Sequence, residues 1–65
     1  MSDAFLFRLS EDCQAYVWPD LTGWYGELHW SDGRETNPVG PYTNRQVAID
    51  SITAEFVMLE HAIDE

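Results

Sequence analysis

The sequence predicts a single α+β domain over residues 1–65: a three- or four-stranded antiparallel β-meander with one C-terminal α-helix packed on one face. Three observations carry this. The first half alternates apolar and polar residues with period two, as half-buried strands do. Turn-forming groups interrupt the alternation at short intervals. From Asn44 to Ile63 there is neither Gly nor Pro, and apolar residues recur at steps of three and four, the pattern of an amphipathic helix.

The elements follow in order. A first strand over about 4–9 places Phe5, Phe7 and Leu9 on one face and Leu6 and Arg8 on the other. Ser10-Glu11-Asp12 is a polar turn. A second strand over 13–18 opposes Cys13, Ala15 and Val17 to Gln14, Tyr16 and Trp18. Pro19-Asp20-Leu21-Thr22-Gly23 reads as the next turn, because Pro presets φ and Gly accepts positive φ. A third strand over 24–31 sends Trp24, Leu28 and Trp30 one way and Tyr25, Glu27 and His29 the other.

Asp32-Gly33 suits a type I′ hairpin turn, so a short fourth strand, 34–36, is expected to fold back on the third. Asn37-Pro38-Val39-Gly40-Pro41 reads as a connector, since proline lacks the ladder donor. Thr43-Asn44-Arg45-Gln46 matches a capping box, with Thr43 as the cap. The helix then runs over about 44–63, with Ala48, Ile49, Ile52, Phe56, Leu59 and Ile63 as its core stripe.

Charge sets the functional expectation. Twelve Asp and Glu stand against three basic residues, all Arg, for a formal net charge of −9. Such a field repels nucleic acid and anionic membrane and attracts basic surfaces. Direct nucleic-acid binding is not expected, because phosphate contacts need Lys or Arg to displace counterions. No apolar run approaches the ~20 residues that span a bilayer, and Met1-Ser2-Asp3 does not open a signal peptide. With Cys13 the only cysteine, no internal disulfide forms. A cytoplasmic protein is expected.

Catalytic and metal patterns are weak. A phosphate-binding P-loop needs a Lys, and there is none. Cys13 with His29 or His61 has no local signature of a nucleophile and base. One Cys and two separated His give no zinc spacing. No enzyme activity, metal or cofactor is expected.

Two surfaces remain. A single helix leaves the second sheet face open, carrying Tyr16, Trp18, Tyr25 and His29, aromatic groups of the kind that anchor protein partners. Around them Glu11, Asp12, Asp20, Asp32, Glu35, Asp50, Glu60 and Asp64 would steer and pair with Arg or Lys on a partner. The expected function is therefore a non-enzymatic acidic module that binds a protein with a basic surface and modulates or inhibits it. One form of this is DNA mimicry, in which carboxylates occupy a nucleic-acid-binding surface. By charge, size and economy alone, the chain compares with small phage-encoded inhibitors of restriction, CRISPR effectors or host transcription proteins; no family motif carries that comparison. The competing expectation is a structural or accessory homodimer, its acidity serving solubility. Its seam would be Val47, Ala54, Val57, Met58 and His61 on the outer helix face.

Overall fold

The computed structural model describes residues 3–63, with side chains through His61. Four strands, β1 (Phe5–Ser10), β2 (Cys13–Asp20), β3 (Gly23–Trp30) and β4 (Val39–Tyr42), precede one helix, α1 (Arg45–Ile63). The strands form one antiparallel sheet in the order β1-β2-β3-β4. The helix packs across one face, mainly on β3 and β2. This is the α+β meander that the alternation predicts. Among the described residues, no helix is long and apolar enough to cross a membrane.

Register explains how alternation builds the core. Cys13 pairs with Trp30, Ala15 with Leu28, and Val17 with Gly26, so one parity of β2 meets one parity of β3. Those side chains point at the helix. Cys13, Ala15, Val17, Leu28, Ala48 and Ile52 are buried, and Phe7, Leu9, Trp24, Trp30, Tyr42, Ile49, Phe56 and Leu59 pack around them. Val17, Leu28 and Ile52 are fully buried together with the small Ala15 and Ala48, and partly buried aromatic groups surround them. Gly26, with no side chain, lets Ile52 of the helix lie close to β3. The side chain of Ile63, expected in the core stripe, lies outside the described residues.

Four local expectations are corrected. The fourth strand is not 34–36. Only an isolated bridge, His29 to Glu35, forms there, supported by Thr36 N–H donating to Leu28 O (3.0 Å) and Leu28 N–H donating to Thr36 Oγ1 (2.9 Å). The connector instead supplies β4. Its partners are Gly26 with Val39 and Trp24 with Tyr42, across a bulge in the register. Because β4 pairs only with β3, it is an edge strand, and Pro41 can sit where no ladder donor is required.

The turn after β3 is a three-residue loop, not type I′. Gly33 N–H donates to Trp30 O (3.1 Å) and Trp30 N–H to Arg34 O (2.8 Å). Among the described residues only Gly takes positive φ, with Gly33 at +98°, whereas type I′ requires positive φ at Asp32 as well. At the preceding hairpin, β2 runs through Pro19 and Asp20, leaving Leu21-Thr22 as a two-residue loop closed by Asp20 opposite Gly23. Asp20 Oδ1 accepts the Leu21 N–H at 2.6 Å. The helix cap is Asn44, not Thr43: Asn44 Oδ1 accepts from Val47 N–H (2.9 Å), the third helical amide. Gln46 does not reach back; its Nε2 donates to Asp50 Oδ1, 2.9 Å away, one turn on.

Candidate partner-binding face

The parity that fills the core leaves its complement on the sheet's other face, which no helix covers. Strand register arranges these side chains in rows. Leu6 pairs with Tyr16, and Tyr16 with Glu27; Arg8 pairs with Gln14, and Gln14 with His29. His29 continues across the bridge to Glu35. Trp18 pairs with Tyr25.

Ring contacts and ion pairs form within and between these rows. The Trp18 and Tyr25 rings stack with centroids 6.2 Å apart, and Tyr16 meets the His29 imidazole edge-on at 5.0 Å. The Tyr25 hydroxyl hydrogen bonds with Thr22 Oγ1 at 2.7 Å, fixing the ring. His29 is held between two carboxylates: Nε2 lies 2.6 Å from Glu27 Oε2 and Nδ1 3.3 Å from Glu35 Oε1. Tyr16 and Leu6 are exposed; Trp18, Tyr25, Glu27 and His29 are half-buried against their neighbours. Tyr16, Trp18, Tyr25 and His29 thus share one surface. Glu35 joins it.

Of the remaining acidic residues, Glu11 and Asp12 adjoin that face, sharing a hollow with Arg8, Gln14 and His29; the others do not form one patch with it. Glu11 and Asp12 occupy the β1–β2 turn, which Ser31 N–H ties to the end of β3 by donating to Asp12 O at 2.8 Å. Glu60, from the far end of the helix, joins Ser10, Glu11, Asp12, Trp30 and Arg34 around a shallow hollow at that end. Asp32 lies at the adjoining turn. Its carboxylate accepts the Arg34 backbone N–H (3.0 Å) and pairs with the guanidinium (2.9 Å), which together hold it below the ordinary carboxylate range, the backbone bond contributing most. Asp20 marks the opposite end of the sheet. Asp50 projects from the exposed side of the helix, on the other side of the molecule from the aromatic rows. Asp64 lies outside the described residues.

Of the three cations, Arg34 lies over Trp30 at 5.0 Å and Arg45 over Phe5 at 5.3 Å. Arg8 belongs to the open face, beside Gln14. Negative charge therefore prevails around the aromatic rows.

The outer helix residues Val47, Ala54, Val57, Met58 and His61 are all exposed, Met58 most among the large apolar ones at 68%. Asp50 stands three residues after Val47 and four before Ala54, so it shares their face. A symmetric seam there would take that carboxylate out of water in both copies, with no basic residue among the seam residues except His61.

Cys13 is buried, and burial pushes its thiol above its ordinary value, with the Glu60 carboxylate adding to the rise. A nucleophilic cysteine needs the reverse shift. Sequence reasoning placed Glu27 on the open face but did not join it to His29 and Glu35. The Glu-x-His spacing signals a shared strand face; the third member depends on the loop geometry. No family model matches the chain, and no curated protein or solved structure matches it either.

Proposed function

We propose that the chain is a non-enzymatic acidic binding module that docks a protein with a basic surface through its uncovered sheet face. The observation that supports this most is the pairing of ring groups with carboxylates there. Trp18 on Tyr25 and Tyr16 on His29 offer rigid apolar area, and Glu27 and Glu35 border them. Aromatic anchors dock at low entropic cost. Carboxylates on the rim steer a cationic partner and fix its orientation. Modulation or inhibition follows if the covered surface is the partner's working face, and DNA mimicry is the case in which that face binds nucleic acid.

A homodimer through the outer helix face is the second reading, favoured by the exposure of Val47, Val57 and Met58. Asp50 within that strip, in a chain of net charge −9, weighs against it. The experiment is affinity capture from lysate by the wild-type chain and by Trp18→Ala/Tyr25→Ala, at low and high salt. Basic proteins retained by the wild type, lost with the variant and released near 1 M salt, where the Debye length is ~3 Å, support the docking face. Capture indifferent to salt and to both substitutions would sink it. Displacement of a retained protein by duplex DNA would identify mimicry.

A further inference from the structure

We propose that Nδ1 of His29 and the Glu35 carboxylate form a binding site for a divalent transition-metal ion of the zinc kind, with Glu27 as the orienting carboxylate. The site goes beyond the docking reading and does not depend on it. Its argument begins with the two sides of one imidazole. Nε2 lies 2.6 Å from Glu27 Oε2, a short hydrogen bond in which the ring nitrogen donates. A neutral imidazole has one N–H, so once Nε2 carries it, Nδ1 presents a lone pair. That lone pair faces Glu35 Oε1 at 3.3 Å. Two acceptors then confront each other, and a cation between them reconciles the pair.

The distance suits a metal ion. Zinc binds imidazole nitrogen at about 2.0–2.1 Å and carboxylate oxygen at about 2.0–2.2 Å in tetrahedral geometry. Two such ligands on one ion stand roughly 3.3 Å apart, which is the separation here. The opposite side of the ring supplies the other half of the pattern. A metal-bound His characteristically donates its second N–H to a carboxylate, which fixes the ring and raises its basicity; Glu27 occupies that position. Glu27, His29 and Glu35 bring one ligand atom each within 4.8 Å of one another.

The supports are rigid where rigidity matters. Glu27 and His29 alternate on one face of β3, and the Tyr16 ring braces the imidazole edge. Glu35 is brought alongside by the antiparallel bridge, and its side chain is 62% exposed, leaving it free to close on an ion. Water completes the coordination on that open side. Imidazole selects zinc, copper and nickel over magnesium and calcium, which prefer all-oxygen sites.

Titration of the intact chain with Zn²⁺ tests this, followed by NMR of the imidazole and of backbone amides 27–35. We expect saturation at one equivalent centred on His29. His29→Gln should abolish it, and Glu35→Gln should weaken it at least tenfold. Glu27→Gln should weaken it by about 10–100-fold, the usual effect of removing an orienting partner. His61→Gln should bind as the wild type does, and Mg²⁺ should not saturate the same resonances. Circular dichroism of each variant reports that the fold is intact, and the exposed position of Glu35 makes its variant the safest. Equal binding by His29→Gln, loss with His61→Gln, equal saturation by Mg²⁺, or no saturation below about 1 mM Zn²⁺ would each overturn the site.

Discussion

Replacing Gly26 with Ala tests how closely the helix rests on the sheet. Gly26 is buried on β3, opposite Val17 and beneath the helix. A Cβ built there would stand 2.5 Å from Ile52 Cγ1, 3.3 Å from Ile52 Cδ1 and 3.2 Å from Val17 Cγ1. Carbon atoms settle at about 3.5–4.0 Å, so the closest contact must open by roughly 1 Å. Ile52 is fully buried and Cγ1 lies near the root of its side chain, which leaves no free end to swing aside. Overpacking of this kind costs about 1–3 kcal/mol. Gly26 is not among the glycines of positive φ, so alanine fits the backbone and recovers ~0.4–1 kcal/mol by restricting the unfolded chain. The net loss is about 1–2 kcal/mol, a fall in Tm of roughly 5–15 °C for a domain this small. Thermal unfolding of Gly26→Ala, Ile52→Ala and the double variant measures it. The single substitutions should sum to about 1 kcal/mol more than the double, because removing Ile52 also removes the clash. A Tm at or above wild type for Gly26→Ala, or strict additivity, would refute this account of the interface.

Other substitutions separate turn, cap and thiol. Asn44→Ala should cost about 1 kcal/mol in chemical denaturation, while Thr43→Ala stays within ~0.5 kcal/mol; the opposite ranking would restore Thr43 as the cap. Gly33→Ala should lose about 1 kcal/mol from backbone strain alone, since φ is +98° and nothing lies within 4 Å of the added carbon. Alkylation of Cys13 should be slow in the native protein and rapid in denaturant. Its thiol is raised in the fold from 9.0, so its contribution to stability is complete below that pH and is lost as pH climbs through the folded value. Tm between pH 8 and pH 10.5 should therefore fall less steeply for Cys13→Ala than for wild type.

The parity of the strands was legible because each side chain has only two directions to take. Cys13, Ala15, Val17 and Leu28 are buried, and Tyr16, Trp18, Tyr25 and His29 face away from the helix, as alternation alone requires. The helix was legible for the same kind of reason, with Ala48 and Ile52 buried at a spacing of four. What alternation omits is position within the sheet. Gly40 and Pro41 argue against a strand only if both of its sides must pair. At the edge, beside β3 alone, that objection lapses, and β4 forms from the segment read as a connector. The turn misled in a related way. Asp-Gly is compatible with two loop lengths, and the longer loop keeps Asp32 out of positive φ, where its Cβ would be strained.

The same one-residue difference decides what the open face can do. A loop of Ser31-Asp32-Gly33 sets Glu35 opposite His29, on the face of Glu27. A two-residue loop would pair the returning chain one position out of step. Because side chains alternate strictly, that slip would turn Glu35 to the helix side and bring Arg34 or Thr36 toward His29. The imidazole would then keep one carboxylate and lose the other. Glu27 and His29 belong together by spacing on a single strand, so any reading of β3 finds them. Glu35 belongs by virtue of Gly33, whose φ of +98° permits the longer loop. The acidic residues therefore differ in kind: those at the turns and on the helix set a field, whereas Glu27 and Glu35 are placed by register on opposite sides of one ring. Glu35→Gln/Gln46→Glu should separate these roles, leaving the net charge unchanged while removing the carboxylate beside His29. Zn²⁺ binding undiminished by that exchange would show that charge alone suffices.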